Sequence, residues 1–177
     1  MRRVSQAAVR GLAAVALAVP SLVGCGYTML GSSGGPLLGR VAIHTPHNDS
    51  GHSGTELVVA DALRREVLRR AGAELVEDES DADWVVTGRV LPLEVEPASL
   101  SPVVLTLEYQ LHLSLELKAR ARDGREIQGD ATELRESERF LSSGDPEAQR
   151  KNRGEALRRV SRLLAARFLD RLDEQGG

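Results

Sequence analysis

The chain has 177 residues, which is long enough for one domain with a hydrophobic core of its own. Its apolar content of 41% is ordinary, but aromatic residues make up only 3%, so a surface that stacks on nucleic-acid bases or sugar rings is not expected. The formal net charge of −3 also argues against a broad surface that grips a polyanion, and we expect no nucleic-acid partner.

Residues 1–24 have the composition of a bacterial lipoprotein signal peptide. Basic residues open the chain, a short apolar run follows, and the run ends in Leu22-Val-Gly-Cys25. The run is too short for a comfortable bilayer span of about 20 residues. A leucine three residues before the cysteine and a glycine directly before it resemble the cleavage box at which the cysteine thiol is lipidated. We therefore predict cleavage before Cys25, with a plain secretory signal or an uncleaved helix as the alternatives.

Cys25 is the only cysteine in the chain, so it has no partner for an internal disulfide. As a lipidated residue it would carry acyl chains of the palmitate type, and two or more such chains anchor a protein stably at about 0.8 kcal/mol per buried methylene. Gly26 stands where an aspartate often retains a lipoprotein in the inner membrane, so we predict a lipid anchor on the periplasmic side of the outer membrane. Cleavage would leave 20 basic and 26 acidic residues, a formal net charge of −6, so any anion site must be local.

Residues 25–39 contain the run Gly31-Ser-Ser-Gly-Gly-Pro36 and are predicted to be a flexible tether between lipid and domain. Residues 40–177 are then predicted to be a single domain. It opens with a short strand, residues 40–45, which ends before Pro46 because proline has no backbone N–H to donate.

The first helix is predicted to begin at Ser53, because Ser53 and Glu56 have the spacing of a capping box. The apolar residues that share one stripe of this helix are Val59, Leu63 and Val67.

An acidic loop, residues 77–83, and a second strand, residues 84–95, come next. The order strand, helix, strand predicts two parallel strands joined by a crossover. Residues 97–102 are predicted to connect the second strand to the third.

The third strand, residues 103–121, has the most regular pattern in the chain. Its odd positions are apolar, and all its even positions except Val104 are polar or charged. A strict period of two predicts a β-strand with one buried and one wet face. At about 3.3 Å per residue it would be roughly 60 Å long, so it must bend, bulge or overhang its neighbours. The apolar positions are Val103, Leu105, Leu107, Tyr109, Leu111, Leu113, Leu115, Leu117, Ala119 and Ala121.

The turn after this strand is predicted to consist of residues 122–124. A two-residue turn would pair the apolar positions with charged residues of the next strand. A three-residue turn with Gly124 in the left-handed conformation pairs them with Ile127 and Gly129 instead. The fourth strand, residues 126–138, is weakly apolar and charged, as is typical of a sheet edge.

The last helix is predicted from Asp145, an N-cap residue followed by a proline at the first helical position, to about Asp173. Its apolar face consists of Ala156, Leu157, Val160, Leu163, Leu164, Phe168 and Leu172. We therefore predict an α+β fold, a two-layer sandwich of order β-α-β-β-β-α. Two helices pack on one face of a four-stranded mixed sheet, and the other face stays uncovered.

No pattern in the chain indicates a metal, a cofactor or a catalytic centre. His44, His47 and His52 lie near Asp49, but their spacing matches no zinc motif. The chain has no phosphate-binding loop, nucleophile elbow or HExxH sequence. We therefore expect no metal, no cofactor and no enzymatic activity, although a pair of carboxylates distant in sequence is not excluded.

Four basic residues are candidates for contacts with the phosphates of a glycolipid. Lys118 and Arg120 alternate on the wet face of the third strand, and Arg150 and Lys151 lie in the first turns of the last helix. Arginine and lysine bind phosphate through charge-assisted hydrogen bonds. The alternative is that each belongs to an ordinary solvated surface.

Eight short segments together resemble the LPS-assembly lipoprotein LptE family. They are Cys25-Gly-Tyr27, Val41-Ala-Ile-His-Thr-Pro-His-Asn48, Gly54-Thr-Glu-Leu57, Ala62-Leu-Arg-Arg-Glu66, Ala82-Asp-Trp-Val-Val-Thr-Gly-Arg-Val90, Glu108-Tyr-Gln110, and Asp145-Pro146 with Glu155-Ala-Leu157. Their order and spacing cover nearly all of the chain after the predicted cleavage point. Residues 97–102 depart from the family, whose members often have basic residues there, which favours Arg150 and Lys151 as the glycolipid contacts.

The resemblance implies two helices on one side of a four-stranded mixed sheet and a lipid anchor in the outer membrane. It also implies a non-catalytic role in lipopolysaccharide transport to the outer leaflet, in which the chain plugs the LptD β-barrel in a 1:1 complex and aids its assembly, with lipopolysaccharide as a further possible ligand. The wet face of the third strand suits the polar interior of such a barrel. The alternatives are a lipoprotein carrier or assembly adaptor outside the translocon, and a cell-envelope hydrolase.

Overall fold

The computed structural model describes residues 38–100 and 106–176, and within these ranges two helices pack on a mixed sheet. The strands are β1 (Arg40–Ile43), β2 (His47–Asn48), β3 (Glu74–Val76), β4 (Trp84–Val90), β5 (Glu94–Leu100), β6 (Thr106–Ala121), β7 (Glu126–Gly129) and β8 (Arg135–Leu141), and the helices are α1 (Thr55–Arg69) and α2 (Pro146–Gly176). The predicted signal peptide, Cys25, most of the predicted tether, and Val103 and Leu105 lie outside the described residues.

Strand β6 is the centre of the sheet. Strands β4 and β5 pair antiparallel along one of its edges, and β7 and β8 pair antiparallel along the other. Strand β1 lies parallel to β4, as the crossover argument predicts, and β3 lies parallel to β1 at the far edge. From one side of the sheet to the other, β3 comes first and β1 second. The strands β4 and β5 follow one after the other along the next position, then comes β6, and β7 and β8 share the last position.

The prediction of four strands is not confirmed, because residues 38–100 and 106–176 form a sheet of eight strand segments. The second predicted strand breaks after Val90 and resumes as β5, which runs through Pro97. Proline is tolerated there because, among the described residues, β5 pairs with β6 alone and no strand on its other side requires a backbone N–H. The fourth predicted strand is interrupted between Gly129 and Arg135, where the amide of Leu134 bonds the carbonyl of Asp130 at 2.9 Å. Strand β3 was not predicted at all.

The alternation in β6 is confirmed over most of the strand. Leu111, Leu113 and Leu115 are fully buried, whereas the even positions between them are at least partly exposed. Leu107 departs from the pattern and is 51% exposed. It lies where β6 pairs with β5, and β5 packs closely against neither helix. The long strand thus extends beyond the helices at this end, as its length requires.

The three-residue turn is confirmed by the register of the hairpin. Ala119 pairs with Ile127, and Leu117 pairs with Gly129. Gly124 has φ of 90°, a left-handed conformation that glycine adopts without strain. The backbone N–H of Ala121 donates to the carbonyl of Arg125 at 2.8 Å and closes the turn.

The start of α1 differs from the predicted capping box. The residue before the helix is Gly54, at φ of 86°, and it provides no side-chain cap. The carboxylate of Glu56 instead accepts a hydrogen bond from the amide of Asn48, which ties the helix to β2. The predicted stripe is confirmed, since Val59, Leu63 and Val67 are all fully buried.

The start of α2 follows the prediction. The carboxylate of Asp145 accepts hydrogen bonds from the backbone amides of Glu147 and Ala148, at 3.1 and 3.3 Å. Most of the predicted apolar face enters the core, but Leu163 is 53% exposed. Ala165 and Leu169, which were not assigned to that face, are fully buried.

One hydrophobic core lies between the helices and the inner face of the sheet. It joins the odd residues of β6 to the buried residues of α1 and α2, so both helices cover the same face. Within the described ranges, neither helix combines the length and the apolar character that a membrane crossing requires.

Candidate functional site: the polar face of the sheet

The face of the sheet opposite the helices is polar and mostly accessible, and we call it the polar face. Its centre is formed by the even residues of β6, among them Glu116, Lys118 and Arg120. The register places polar residues beside them, since Thr87 of β4 lies opposite Lys118 on one edge and Gln128 of β7 lies opposite it on the other. The strict alternation of β6 is what directs all these side chains away from the core.

The charged side chains of the polar face are paired between strands. The pairs on neighbouring strands are Lys118 with Glu126 at 2.7 Å, Arg89 with Glu116 at 3.6 Å and Arg139 with Glu108 at 4.0 Å, and Arg135 meets Glu94 across β6 at 3.1 Å. His112 also contacts Glu96, at 3.1 Å. Apart from His112, every one of these side chains is more than a third exposed. Each pair therefore stabilises the fold by about 0–1 kcal/mol at most. Their combined effect is a polar surface on which the charges largely balance.

One end of the polar face is covered, which corrects the prediction that the whole face is open. The acidic loop, residues 77–83, folds over it, and Ala82 packs in a small buried cluster with Ala42 and Val85. The guanidinium of Arg122 donates to the carbonyl oxygen of Ala82 at 2.9 Å. The loop was predicted only as a solvated acidic segment, and the alanine within its acidic run was the one signal of burial.

A shallow groove of about 570 Å³ lies on the open part of the polar face. Its lining includes Thr87, Gly88, Arg89, Glu116, Lys118, Gln128, Gly129 and Asp130. Gly88 is required there, because a Cβ atom at this position would lie 2.3 Å from the backbone oxygen of Glu116. Both basic residues of the lining already face carboxylates, so the groove offers hydrogen-bonding groups of both kinds and no concentration of positive charge.

The candidate phosphate contacts do not form one site. Lys118 is paired with Glu126, and Arg120 lies 3.7 Å from Glu79 of the covering loop. Arg150 forms an ion pair with Glu147 of its own helix, and Lys151 is exposed.

The two groups of candidates also lie at different ends of the sheet. The amide of Asn152, in the first turns of α2, donates to the carbonyl of Leu141, which pairs with Glu108 of β6. Lys118 is ten residues farther along β6, a distance of about 33 Å at the rise of an extended strand. No single phosphate can therefore contact both groups.

The histidines of the first loop are also separated. His44 contacts Glu79 at 2.7 Å, whereas His47 contacts Asp49 at 3.1 Å. Among residues 38–100 and 106–176, no three histidine, cysteine or acidic side chains are grouped closely enough to hold a metal ion.

The model of the LptE family, described as lipopolysaccharide-assembly, matches residues 38–172 of this chain. The chain belongs to the LptE lipopolysaccharide-assembly family. Members of the LptE family are non-enzymatic lipoproteins that act in lipopolysaccharide assembly, and their general partner is LptD. The match spans every strand described above, all of α1, and α2 as far as Leu172, so the polar face and its covering loop lie within the family domain. No curated protein sequence matches the chain significantly.

Two solved structures are similar to this chain at low sequence identity. A crystal structure of a protein from Xanthomonas campestris matches with a TM-score of 0.52 and 16% identity, over 81% of this chain and 90% of that one. The rare lipoprotein B from Shewanella oneidensis matches with a TM-score of 0.48 and 15% identity, over 74% of this chain and 91% of that one. At such identities the likeness concerns the fold alone.

Proposed function

We propose that this LptE-family chain is an outer-membrane lipoprotein that plugs the LptD barrel and helps to assemble it during lipopolysaccharide transport to the outer leaflet. The chain acts by shape and polar complementarity, without catalysis, and forms a 1:1 complex with the barrel. Its acyl chains, carried by Cys25, hold it at the periplasmic side of the membrane.

The observation that carries the proposal is the balanced charge of the polar face. The interior of an outer-membrane barrel is polar, so a protein that enters it must present hydrogen-bonding groups without large unpaired charge. On the polar face, Lys118, Arg89 and Arg135 each meet a carboxylate of another strand. Such a surface exchanges water for polar groups of the barrel at low cost, because few charges lose their partners.

The position of the two helices also supports the polar face as the surface that meets the barrel. Both helices cover the inner face of the sheet, so the long central strand is wet on the polar face.

Purification from outer membranes with the lipid intact tests the proposal. We expect the chain to co-elute from a sizing column with the barrel protein at a 1:1 ratio, measured by light scattering. Elution of the chain alone, or with a different stoichiometric partner, would contradict the proposal, and the second result would favour an adaptor outside the translocon.

Site-specific photo-crosslinking tests which surface faces the barrel. A photoreactive residue in place of Thr87 or Gln128 lies on the polar face, and one in place of Leu57 or Leu68 lies on the exposed side of α1 as a matched control. We expect the first pair to crosslink to the barrel more strongly than the second. Stronger crosslinking from α1 would mean that the polar face is not the docking surface.

A further inference from the structure

A second surface feature lies on the outer side of the helical layer, away from the polar face. It is a cleft of about 360 Å³ between α1 and α2, within the range of about 300–1,000 Å³ for small-molecule sites. We call it the interhelical cleft. Its lining residues are Val58, Asp61, Ala62, Arg65, Glu155, Arg158, Arg159 and Arg162.

The two helices run in the same direction along this cleft. Its lining places residues 58–65 of α1 beside residues 155–162 of α2. Farther along, Arg70 at the end of α1 donates to the carbonyl of Ala166 and to the carboxylate of Asp170, at 3.3 and 2.6 Å. These contacts fix one helix against the other, so the walls of the cleft are held by packed structure and not by loops.

The cleft has an excess of positive charge, with four arginines against two acids in its lining. Arg65 is paired with Asp61 at 2.9 Å, and Arg159 is paired with Glu138 of β8 at 2.6 Å. In the part of the chain that the structure describes, Arg158 and Arg162 have no ion-pair partner.

The two unpaired arginines are placed to bind one anion together. Four residues apart on a helix, Arg158 and Arg162 share one face with their Cβ atoms about 5–6 Å apart. Each guanidinium is a planar fork of donors that matches the oxygens of a phosphate. A phosphate group in the cleft would therefore accept charge-assisted hydrogen bonds from both.

Apolar residues also border the cleft. Val58 and Ala62 form part of its lining. Leu57 and Leu163, one helical turn from Asp61 and Arg159, are 59% and 53% exposed. Arginines next to exposed leucines are typical of surfaces that meet both the headgroups and the upper acyl region of a bilayer.

We propose that the interhelical cleft binds the phosphate group of an anionic phospholipid. The predicted anchor is compatible with this contact, because the 13 residues from Cys25 to Leu38 can span at most about 45 Å between the lipid and the domain. The site lies on the helical layer and not on the polar face. Phospholipid binding can therefore be tested independently of the complex with the barrel.

Native mass spectrometry of the full chain in detergent micelles tests the proposal. Phosphatidylglycerol and phosphatidylcholine are added in separate titrations, and inorganic phosphate is added in a third. We expect phosphatidylglycerol to bind more tightly than phosphatidylcholine. The double variant Arg158→Gln/Arg162→Gln should weaken that binding about tenfold or more, because charge-assisted hydrogen bonds are about twice as strong as neutral ones.

A matched control separates the cleft from overall charge. The double variant Arg69→Gln/Arg153→Gln removes the same number of positive charges from the two helices, at positions outside the lining of the cleft. It should leave binding unchanged. The variant Glu155→Gln removes an acid from the lining and should tighten binding.

The outcomes distinguish the sources of the phosphate. Binding of phosphatidylglycerol with little binding of inorganic phosphate supports a lipid headgroup site in which the leucines contribute. If Arg158→Gln/Arg162→Gln weakened the binding of phosphatidylglycerol and of inorganic phosphate equally, the claim that the cleft binds a lipid headgroup would be wrong. Equal loss in the cleft and control variants, or no preference for phosphatidylglycerol, would overturn the site itself.

Discussion

The carboxylate of Asp83 accepts a hydrogen bond from the backbone N–H of Arg40 at 2.9 Å and also meets the guanidinium of the same residue, at 3.3 Å. The contact joins the first residue of β1 to the residue before β4, two positions 43 residues apart in the chain. It thereby fixes the start of the parallel pair, in which Val41 lies opposite Trp84. The same carboxylate lies 3.7 Å from Arg122 and so connects the β6–β7 turn to this corner.

The substitution Asp83→Asn is expected to destabilise the fold at neutral pH. The backbone N–H and then the guanidinium of Arg40 hold the pKa of Asp83 below its usual value. A lowered folded-state pKa means that the stabilisation is present above the pKa of the unfolded chain and is lost as the pH falls through the folded value. Because both side chains are more than a third exposed, we expect a loss below about 1 kcal/mol.

Urea unfolding at pH 7 and at pH 3 measures this effect. The difference between wild type and Asp83→Asn should shrink at the acidic pH, where Asp83 binds a proton in the unfolded chain. A difference that is equal at both pH values would mean that charge on Asp83 does not contribute.

The substitution Leu113→Ala is expected to destabilise the fold by about 2–5 kcal/mol, because it leaves a cavity in the core. Leu113 is fully buried on the inner face of β6. Leu107 is another odd-numbered position of the same strand but is 51% exposed. The substitution Leu107→Ala is therefore a matched control that should lower the free energy of unfolding much less. Similar shifts in the thermal melts of the two variants would show that the helices cover β6 differently.

The substitution Gly88→Ala is expected to destabilise the sheet by about 1–3 kcal/mol, as overpacking does. An added Cβ atom would lie 2.3 Å from the oxygen of Glu116 and 2.7 Å from a methyl group of Leu117. Gly144 provides the control, since a Cβ atom there would meet nothing within 4 Å. Chemical denaturation of both variants, followed by circular dichroism, checks the difference, and an unchanged Gly88→Ala midpoint would contradict the close approach of β4 and β6.

The substitution Arg70→Met is expected to destabilise the helical layer by about 1–3 kcal/mol, because it removes the partner of the mostly buried Asp173 and one of the two partners of the buried Glu66. The side chain of Arg70 is only 15% exposed, and its guanidinium bridges Glu66 of α1 to Asp170 and Asp173 of α2. Arg69 also pairs with Glu66 but is 74% exposed, so Arg69→Met should cost less than about 1 kcal/mol. Equal melting temperatures for the two variants would mean that Arg70 contributes no more to stability than an exposed ion pair does.

The substitution Cys25→Ser tests the lipid anchor. The thiol is the group that the predicted modification requires, so the variant should accumulate as an uncleaved or unanchored precursor with little protein in the outer membrane. Membrane fractionation and the mass of the N-terminal peptide measure this. Normal fractionation of the variant would count against lipidation at Cys25.

The sequence predicted the features that depend on neighbours along the chain. The period of two in β6 identified its buried face, the helical stripe through Leu63 was correct, and the register argument fixed the turn at Gly124. The cap at Asp145 was also read correctly from local chemistry. Each of these rests on geometry that repeats over a few residues, which a sequence records directly.

The candidate site was harder to predict, because its properties depend on pairs of residues far apart in sequence. The alternation placed Lys118 and Arg120 on the polar face, but their partners Glu126 and Glu79 follow from strand register and from the path of the covering loop. Nothing local indicated that the loop folds back, or that Arg158 and Arg162 border a cleft with α1.

The amino-acid pattern was enough to assign the buried and the solvated face of the central strand, because side-chain direction in a strand is set residue by residue. How much of the solvated face stays accessible, and which of its charges are paired, depends on the packing of distant segments. Those properties arise from contacts such as Arg120 with Glu79, made only once distant strands and loops have packed together.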